Sequence, residues 1–318
     1  MNPFVSVVIP VFNAERFIYS TVKSIIDQTF SNFELLIIND ASTDTTEKII
    51  NSFMDNRIRI IKTKGIGATE AYNIGFKYSI GKYIAISDHD DISEKDRLKK
   101  QVVFLENNPE VNVLGTNYNV INENGSFLFS VLQPQENLQI KELLLKRASG
   151  VFNPSLMVRR EIFDKYGYYH NNYFPVSDYE FYLRNSDFLH FHNLEDMLYN
   201  WRNLKTSISH NKVDLFNKKL YKVSYEYIYK KFYKTSKKDF YENMSFRAYY
   251  TNHLLLSAYY SIQSFLKGKI SGMLIKMFIN STVFYIPVKI MRKLWLVENP
   301  LFLSLKQKVL DSFNVGRK

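Results

Sequence analysis

Residues 83–93 read YIAISDHDDIS. Tyr83, Ile84, Ala85 and Ile86 suit a buried strand. Asp88, Asp90 and Asp91 follow almost at once. Each carboxylate costs stability if buried unpaired, and like charges so close repel. A strand that runs into such a cluster either leaves the core for water or presents its carboxylates to something positive.

Working outward, this strand is one of a series. Residues 4–11 (FVSVVIPV) form a short β-branched apolar run, as do 33–40 (FELLIIND) and 58–63 (IRIIKT). Between them, 15–28 carries Phe17, Ile18, Val22, Ile25 and Ile26 at helical spacing. The stretch 42–53 opens with N-cap residue types and predicts a second helix, and 67–79 a third. Strands alternating with helices predict a parallel sheet covered on both faces. Ligands of such sheets bind beyond the carboxyl ends of the strands. Asp40 and Asp88 both fall at such ends. Further on, 97–125 predicts a helix, a turn at Asn108–Pro109 and a strand. A strand over 153–160, a helix over 161–166 and another over 177–185 follow.

The chain has 318 residues, 46% of them hydrophobic and 23% charged, enough for one large domain or one domain with an appendage. It has no cysteine, which excludes disulfides, thiolate zinc sites and Cys nucleophiles and fits a reducing cytoplasm. The first residues, MNPFVSVVIPVFN, lack a basic segment before a long apolar run and read as a strand, not a signal peptide. Charge is uneven. Residues 201–318 hold 22 Lys/Arg against 6 Asp/Glu, while residues 1–200 hold 20 against 25. This suggests an acidic catalytic or metal-binding body with a basic tail that seeks an anionic surface.

Alternation along an extended chain places Asp88 and Asp90 on one side, where two carboxylates can grip a hard divalent cation such as Mg²⁺ or Mn²⁺ carrying a diphosphate. The alternative is a solvated acidic turn in which Asp91 or Ser93 caps the following helix.

Several segments together resemble the family 2 glycosyltransferases. Residues 6–46 are similar to that family's opening strand–helix–strand, and 65–91 to the segment that leads into its Asp-x-Asp metal motif. Residues 97–116 resemble the helix and strand after it. NPSLMVRREIFDKYGYY (153–169) and SDYEFYLR (177–184) are similar to the acceptor-side strand and the segment that carries the catalytic base. The resemblance covers roughly residues 4–210 in collinear order. It implies a GT-A fold, a Rossmann-like, mostly parallel α/β sheet flanked by helices. It also implies an inverting hexosyl- or N-acetylhexosaminyltransferase that uses a nucleotide-sugar donor. By the same resemblance Asp40 binds the donor base, Asp90 holds Mn²⁺ or Mg²⁺, Asp88 meets the metal or the donor, and Asp178 is the base. Pro10, Phe12 and Glu15 line the donor side; Asp91, Glu180, Arg202 and His210 are further candidates. Two positions depart from the pattern. Tyr72–Asn73 stands where the family often has Arg-Asn, and Ser177 where it has Glu.

These roles also make chemical sense. A carboxylate such as Asp40 accepts the N–H of uracil, and an aromatic face such as Phe12 stacks on the base. Core packing for Phe12, a helix-first-turn position for Glu15 and N-capping for Asp178 are the plainer alternatives. Inversion needs one general base opposite the leaving group, and a metal stabilises the departing diphosphate in place of an acid.

We expect residues 1–210 to form the catalytic domain and 211–318 a helical, basic, aromatic-rich region. The apolar segment 270–288 contains Lys276, Asn280 and Pro287, so an interfacial helix on the inner face of a cell membrane fits better than a span. A core-packing cap and a dimer interface are the other readings. Such docking suits a lipid-linked saccharide acceptor, as in capsule or O-antigen assembly. Two other classes fit less well. A nucleotidyltransferase wants a Gly-rich basic loop after the first strand, and PVFNAERF (10–17) has neither Gly nor Lys. Nucleic-acid binding through YKVSYEYIYKKFYKTSKK (221–238) suits the interleaved Tyr and Lys but not the acidic first half.

Overall fold

A computed structural model describes residues 2–147, 150–207, 213–232, 234–250, 257, 259–261 and 263–264. His210, the segment 270–288 and its flanking lysines lie outside the described residues.

The elements run β1 (Val5–Val11), α1 (Ile18–Ile26), β2 (Phe33–Asp40), α2 (Thr46–Asn51), β3 (Ile58–Thr63), α3 (Ala68–Tyr78), β4 (Tyr83–Ile86), β5 (Ile92–Ser93) and α4 (Arg97–Asn107). Then come β6 (Val113–Ile121), β7 (Phe127–Val131), α5 (Asn137–Arg147), β8 (Met157–Arg159), α6 (Glu161–Tyr166), α7 (Ser177–Arg184) and β9 (Phe191–Arg202). Two helices, α8 (Val213–Phe232) and α9 (Lys237–Tyr250), follow.

The sheet order is β3-β2-β1-β4-β8-β6-β9-β5, with β7 paired to β6 alone. The first four strands are parallel, as the alternation of strand and helix predicts. Every residue of β1, β2 and β4 is buried, because helices cover both faces. α1 turns Ile18, Val22 and Ile25 into the core. α3 lies so close to β1 that a Cβ on Gly75 would overlap Val8. Beyond β4 the sheet is mixed: β8 is antiparallel to β4 and β6, and β9 parallel to β6.

The structure adjusts several expectations. α1 begins at Ile18, since residues 15–17 form a turn. The strand expected over 153–160 is a 3₁₀ turn at Asn153–Ser155 and three residues of β8, because Pro154 has no N–H for a ladder. β7, α5 and the long β9 had no clear period. β9 reads FHNLEDMLYNWR and mixes charged with apolar residues because its two faces and ends are unequally covered.

The chain divides into two compact units. One comprises residues 1–144 and 148–219; the other takes Leu145–Arg147 and residues from Leu220 onwards. In the second, Ile228, Phe240, Met244, Ala248 and Tyr260 form a small core. Among the described residues no helix is long and apolar enough to cross a membrane.

Candidate active site

The carboxyl ends of β1, β2 and β4 open on one edge of the sheet. Asn13 and Ala41, just past β1 and β2, have left-handed backbones (φ 48° and 60°) that turn the chain off the sheet. The two loops clasp each other: the Asn13 N–H donates to Ser42 Oγ (3.0 Å) and the Thr43 N–H to Asn13 Oδ1 (2.8 Å). Glu15 belongs to this clasp, its Oε2 accepting from the Thr45 N–H (3.0 Å) and hydroxyl (2.7 Å). Pro10 is buried within β1, whereas Phe12 is 56% exposed, so its ring is not core packing.

Asp40 is buried. Its carboxylate accepts from the N–H groups of Ile66 (2.8 Å) and Gly67 (2.7 Å) and from the Thr63 hydroxyl. Burial alone would raise its pKa, but these donors outweigh it and hold the carboxyl below its ordinary value. Asp40 therefore stays charged and pins the loop before α3. Each oxygen has two lone pairs, and Oδ2 keeps acceptor capacity for a ligand N–H.

The acidic cluster sits past β4. His89 and Asp90 form a turn, and this turn, not strand alternation, makes the carboxylates converge. Oxygen atoms of Asp88, Asp90 and Asp91 lie within 4.8 Å of one another. Asp88 is pushed up to about 6, by burial first and by the Asp90 charge second, against a hydrogen bond from the Tyr72 hydroxyl. Asp91 is wholly buried and raised by burial and by its two neighbours. It caps no helix: its Oδ1 accepts the Arg202 N–H (2.7 Å), while Oδ2 has no well-aligned hydrogen bond. Three hard oxygen donors with one buried oxygen left over fit a divalent cation such as Mg²⁺ or Mn²⁺.

Asp178, in the first turn of α7, is half-buried, and burial raises its carboxyl despite N–H groups at 178 and 179. Its charge acts on Asp88 and on the hydroxyls of Tyr72, Tyr169 and Tyr182. Ser177, next to it, meets the Thr69 hydroxyl (3.1 Å) on α3, the helix whose Tyr72 donates to Asp88, so the start of α7 and the acidic loop are both tied to α3. Glu180 is otherwise engaged: Arg184 Nε donates to it at 2.7 Å, and His170 lies 3.4 Å away. Arg202 is also committed. Its guanidinium donates to the carbonyls of Asp90 (2.7 Å), Asn122 (3.3 Å) and Glu123 (2.8 Å) and sits over Phe17. It locks β9 to the acidic loop.

Four residues of the site were not legible beforehand. Tyr72, at one of the departures from the family pattern, reaches Asp88. Asn73, beside it, exchanges two hydrogen bonds with the Tyr169 backbone (2.9 and 3.0 Å). Tyr199 accepts the Asp88 N–H at 3.2 Å. Arg97, wholly buried, donates to the carbonyls of Ile86 (2.8 Å) and Leu156 (3.2 Å) beneath the loop and lies over the Tyr199 ring. Only the Arg97 charge inside an apolar helix pattern was a signal.

Residues 6–167 match the family model described as glycosyl transferase family 2. The chain is 30% identical over 232 residues to glycosyltransferase GlyG of Streptococcus pneumoniae, covering 68% of this chain and 76% of the relative. It is 36% identical over 134 residues to the Escherichia coli UDP-Glc:alpha-D-GlcNAc-diphosphoundecaprenol beta-1,3-glucosyltransferase WfgD, covering 42% of this chain and 52% of that one. In fold it is similar to residues 1–349 of S. aureus TarS, solved with UDP-GlcNAc, with a TM-score of 0.62, 18% identity, and 87% and 79% of the two chains covered.

Proposed function

The chain belongs to glycosyl transferase family 2 and has the GT-A fold, and from that premise we propose that it moves a sugar from a nucleotide-sugar donor, a UDP-sugar first, to a saccharide hydroxyl with inversion. The observation that carries this reading is the convergence of the Asp88, Asp90 and Asp91 carboxylates past the end of β4, with Asp178 on the helix that Ser177 ties to Thr69 of α3. Phe12 and Asp40 receive the donor base. Asp88, Asp90 and Asp91 would hold a divalent cation, which when bound would neutralise charge on the departing diphosphate. Asp178 accepts the proton of the acceptor hydroxyl as its oxygen attacks the anomeric carbon. The bond from that carbon to the diphosphate then breaks, and the diphosphate leaves with its electron pair.

The acceptor we propose is a lipid-linked saccharide in surface-polysaccharide assembly. The similarity to WfgD, named for a diphosphoundecaprenol-linked acceptor, supports this, as does the basic charge of residues 201–318. In this reading residues 1–210 catalyse, and residues 211–318 dock the enzyme on the inner membrane face.

The test begins with thermal shift of the full chain in Mn²⁺ against UDP-, GDP- and dTDP-sugars. A donor that binds the folded state raises its melting temperature. Nucleotide release should then require the same donor. A chain stabilised by none of these donors, or fully active in EDTA, contradicts the proposal.

A further inference from the structure

Three aromatic rings stand half-buried on the mixed half of the sheet: Tyr118 on β6, Phe152 just before β8, and Trp201 on β9. Phe152 stacks on Tyr118 (4.0 Å between centroids, 18°) and meets Trp201 edge-on (6.2 Å, 73°). It also touches Tyr199 edge-on at 6.0 Å. Tyr199 and Trp201 are two apart on one strand and share a face. Since the Tyr199 hydroxyl bonds the Asp88 N–H, the ring cluster lies next to the acidic loop.

Its other flank leads to the proposed base. Asn153, next to Phe152, accepts hydrogen bonds from the hydroxyls of Tyr169 (2.8 Å) and Tyr182 (2.9 Å). Tyr182 stands four residues after Asp178 on α7, on the same helix face, and the two tyrosine hydroxyls meet at 2.9 Å. The strand order completes the argument. β1 and β2, which carry Phe12 and Asp40, lie on one side of β4; β6 and β9 lie on the other. The acidic cluster, at the end of β4, stands between them.

We infer that Tyr118, Phe152 and Trp201 form the platform on which a pyranose ring of the acceptor saccharide rests. This inference rests on the transferase reading above. A pyranose has an apolar C–H face and a polar rim. Aromatic side chains anchored on strands bury the first and leave Tyr and Trp polar atoms for the second. The donor base is accounted for across the sheet, and the acceptor must lie against the base that deprotonates it.

The test uses the full chain with Mn²⁺, the donor found by thermal shift, and methyl β-glucoside and methyl β-N-acetylglucosaminide as acceptor probes. Nucleotide release is measured as each is varied. Trp201→Ala and Phe152→Ala should raise the glycoside KM about ten-fold or more, the scale of one lost stacking contact, and change the donor KM less than about three-fold. Trp201→Phe, which keeps a ring, should recover most of the loss. An unchanged glycoside KM, a donor KM that rises in step, a Phe variant as impaired as Ala, or release that neither glycoside stimulates overturns the platform. Absence of nucleotide release by the unaltered chain with every donor would instead sink the transferase reading itself.

Discussion

At the scale of single residues, Asp178 and Asp88 both tie the proposed reaction to pH. As the proposed base, Asp178 must be ionised to take a proton, and burial raises its pKa. Turnover should fall on the acid side at a pH above that of an ordinary carboxyl. Asp178→Asn should lower kcat about 10²–10⁴-fold, remove that acid limb and leave the donor KM little changed. A variant with unaltered turnover moves the base elsewhere. Asp88 is raised from 3.8 to about 6, so across that window the folded chain holds a proton that the unfolded chain has lost. Metal-free stability from this group therefore falls as pH rises through the window. Mn²⁺ reverses the loss only where Asp88 is ionised. The rise in melting temperature on adding Mn²⁺ should be larger near pH 7.5 than near pH 5, and Asp88→Asn should flatten the difference; equal shifts at both pH values count against the cluster. Ala41 is a simpler case. Its left-handed φ of 60° costs an alanine more than a glycine. Ala41→Gly should gain about 0.5–1 kcal/mol in urea unfolding, and a loss would show that the methyl makes a compensating contact.

At the scale of elements, a few side chains tie neighbouring strands to the loop that carries the carboxylates. Arg97 is the main one. It leaves the first turn of α4, reaches under the loop to the ends of β4 and the start of β8, and stacks over Tyr199 of β9. Burial lowers its pKa only to about 10, so it remains a cation near Asp91. Arg97→Met keeps much of the volume but strands two carbonyls. We expect about 3 kcal/mol or more of destabilisation in denaturant. A cost under about 1 kcal/mol would mean that the loop stands without it. The same logic explains why Arg202, one of the further candidates, is spent on carbonyls of the loops it joins.

At the scale of the whole molecule, charge separates the ends of the chain. The excess of Lys and Arg in residues 201–318 predicts binding to anionic phosphatidylglycerol vesicles in low salt. Binding should weaken steeply as salt shortens the screening length. Cosedimentation at about 50 mM and about 500 mM salt, with neutral vesicles alongside, checks this. Equal recovery on neutral vesicles, or none on anionic ones at low salt, removes the membrane proposal.

What the sequence determined by itself is the parallel half of the sheet and the acidic cluster at its carboxyl edge. β1, β2 and β4 are buried on both faces, so each reads as a mostly apolar run, while β3, at the edge, is partly covered and carries Arg59 and Lys62. Asp40, Asp88 and Asp90 announce themselves because a charge at the end of such a run demands a reason. The mixed half was less legible. β7 is exposed along nearly its whole length and β9 is unevenly covered, so neither shows the period of two that marks a half-buried strand. Nor does local order show which polar groups are already satisfied. That Glu15 and Arg202 spend their hydrogen bonds on other parts of the chain, that Asp91 Oδ2 has no well-aligned one, and that Tyr72, Arg97 and Tyr199 support the acidic loop all depend on partners more than ten residues away, while Glu180 is engaged by Arg184 one helical turn on. Tertiary structure alone decided these points, because a buried polar group is assigned by what lies against it in space.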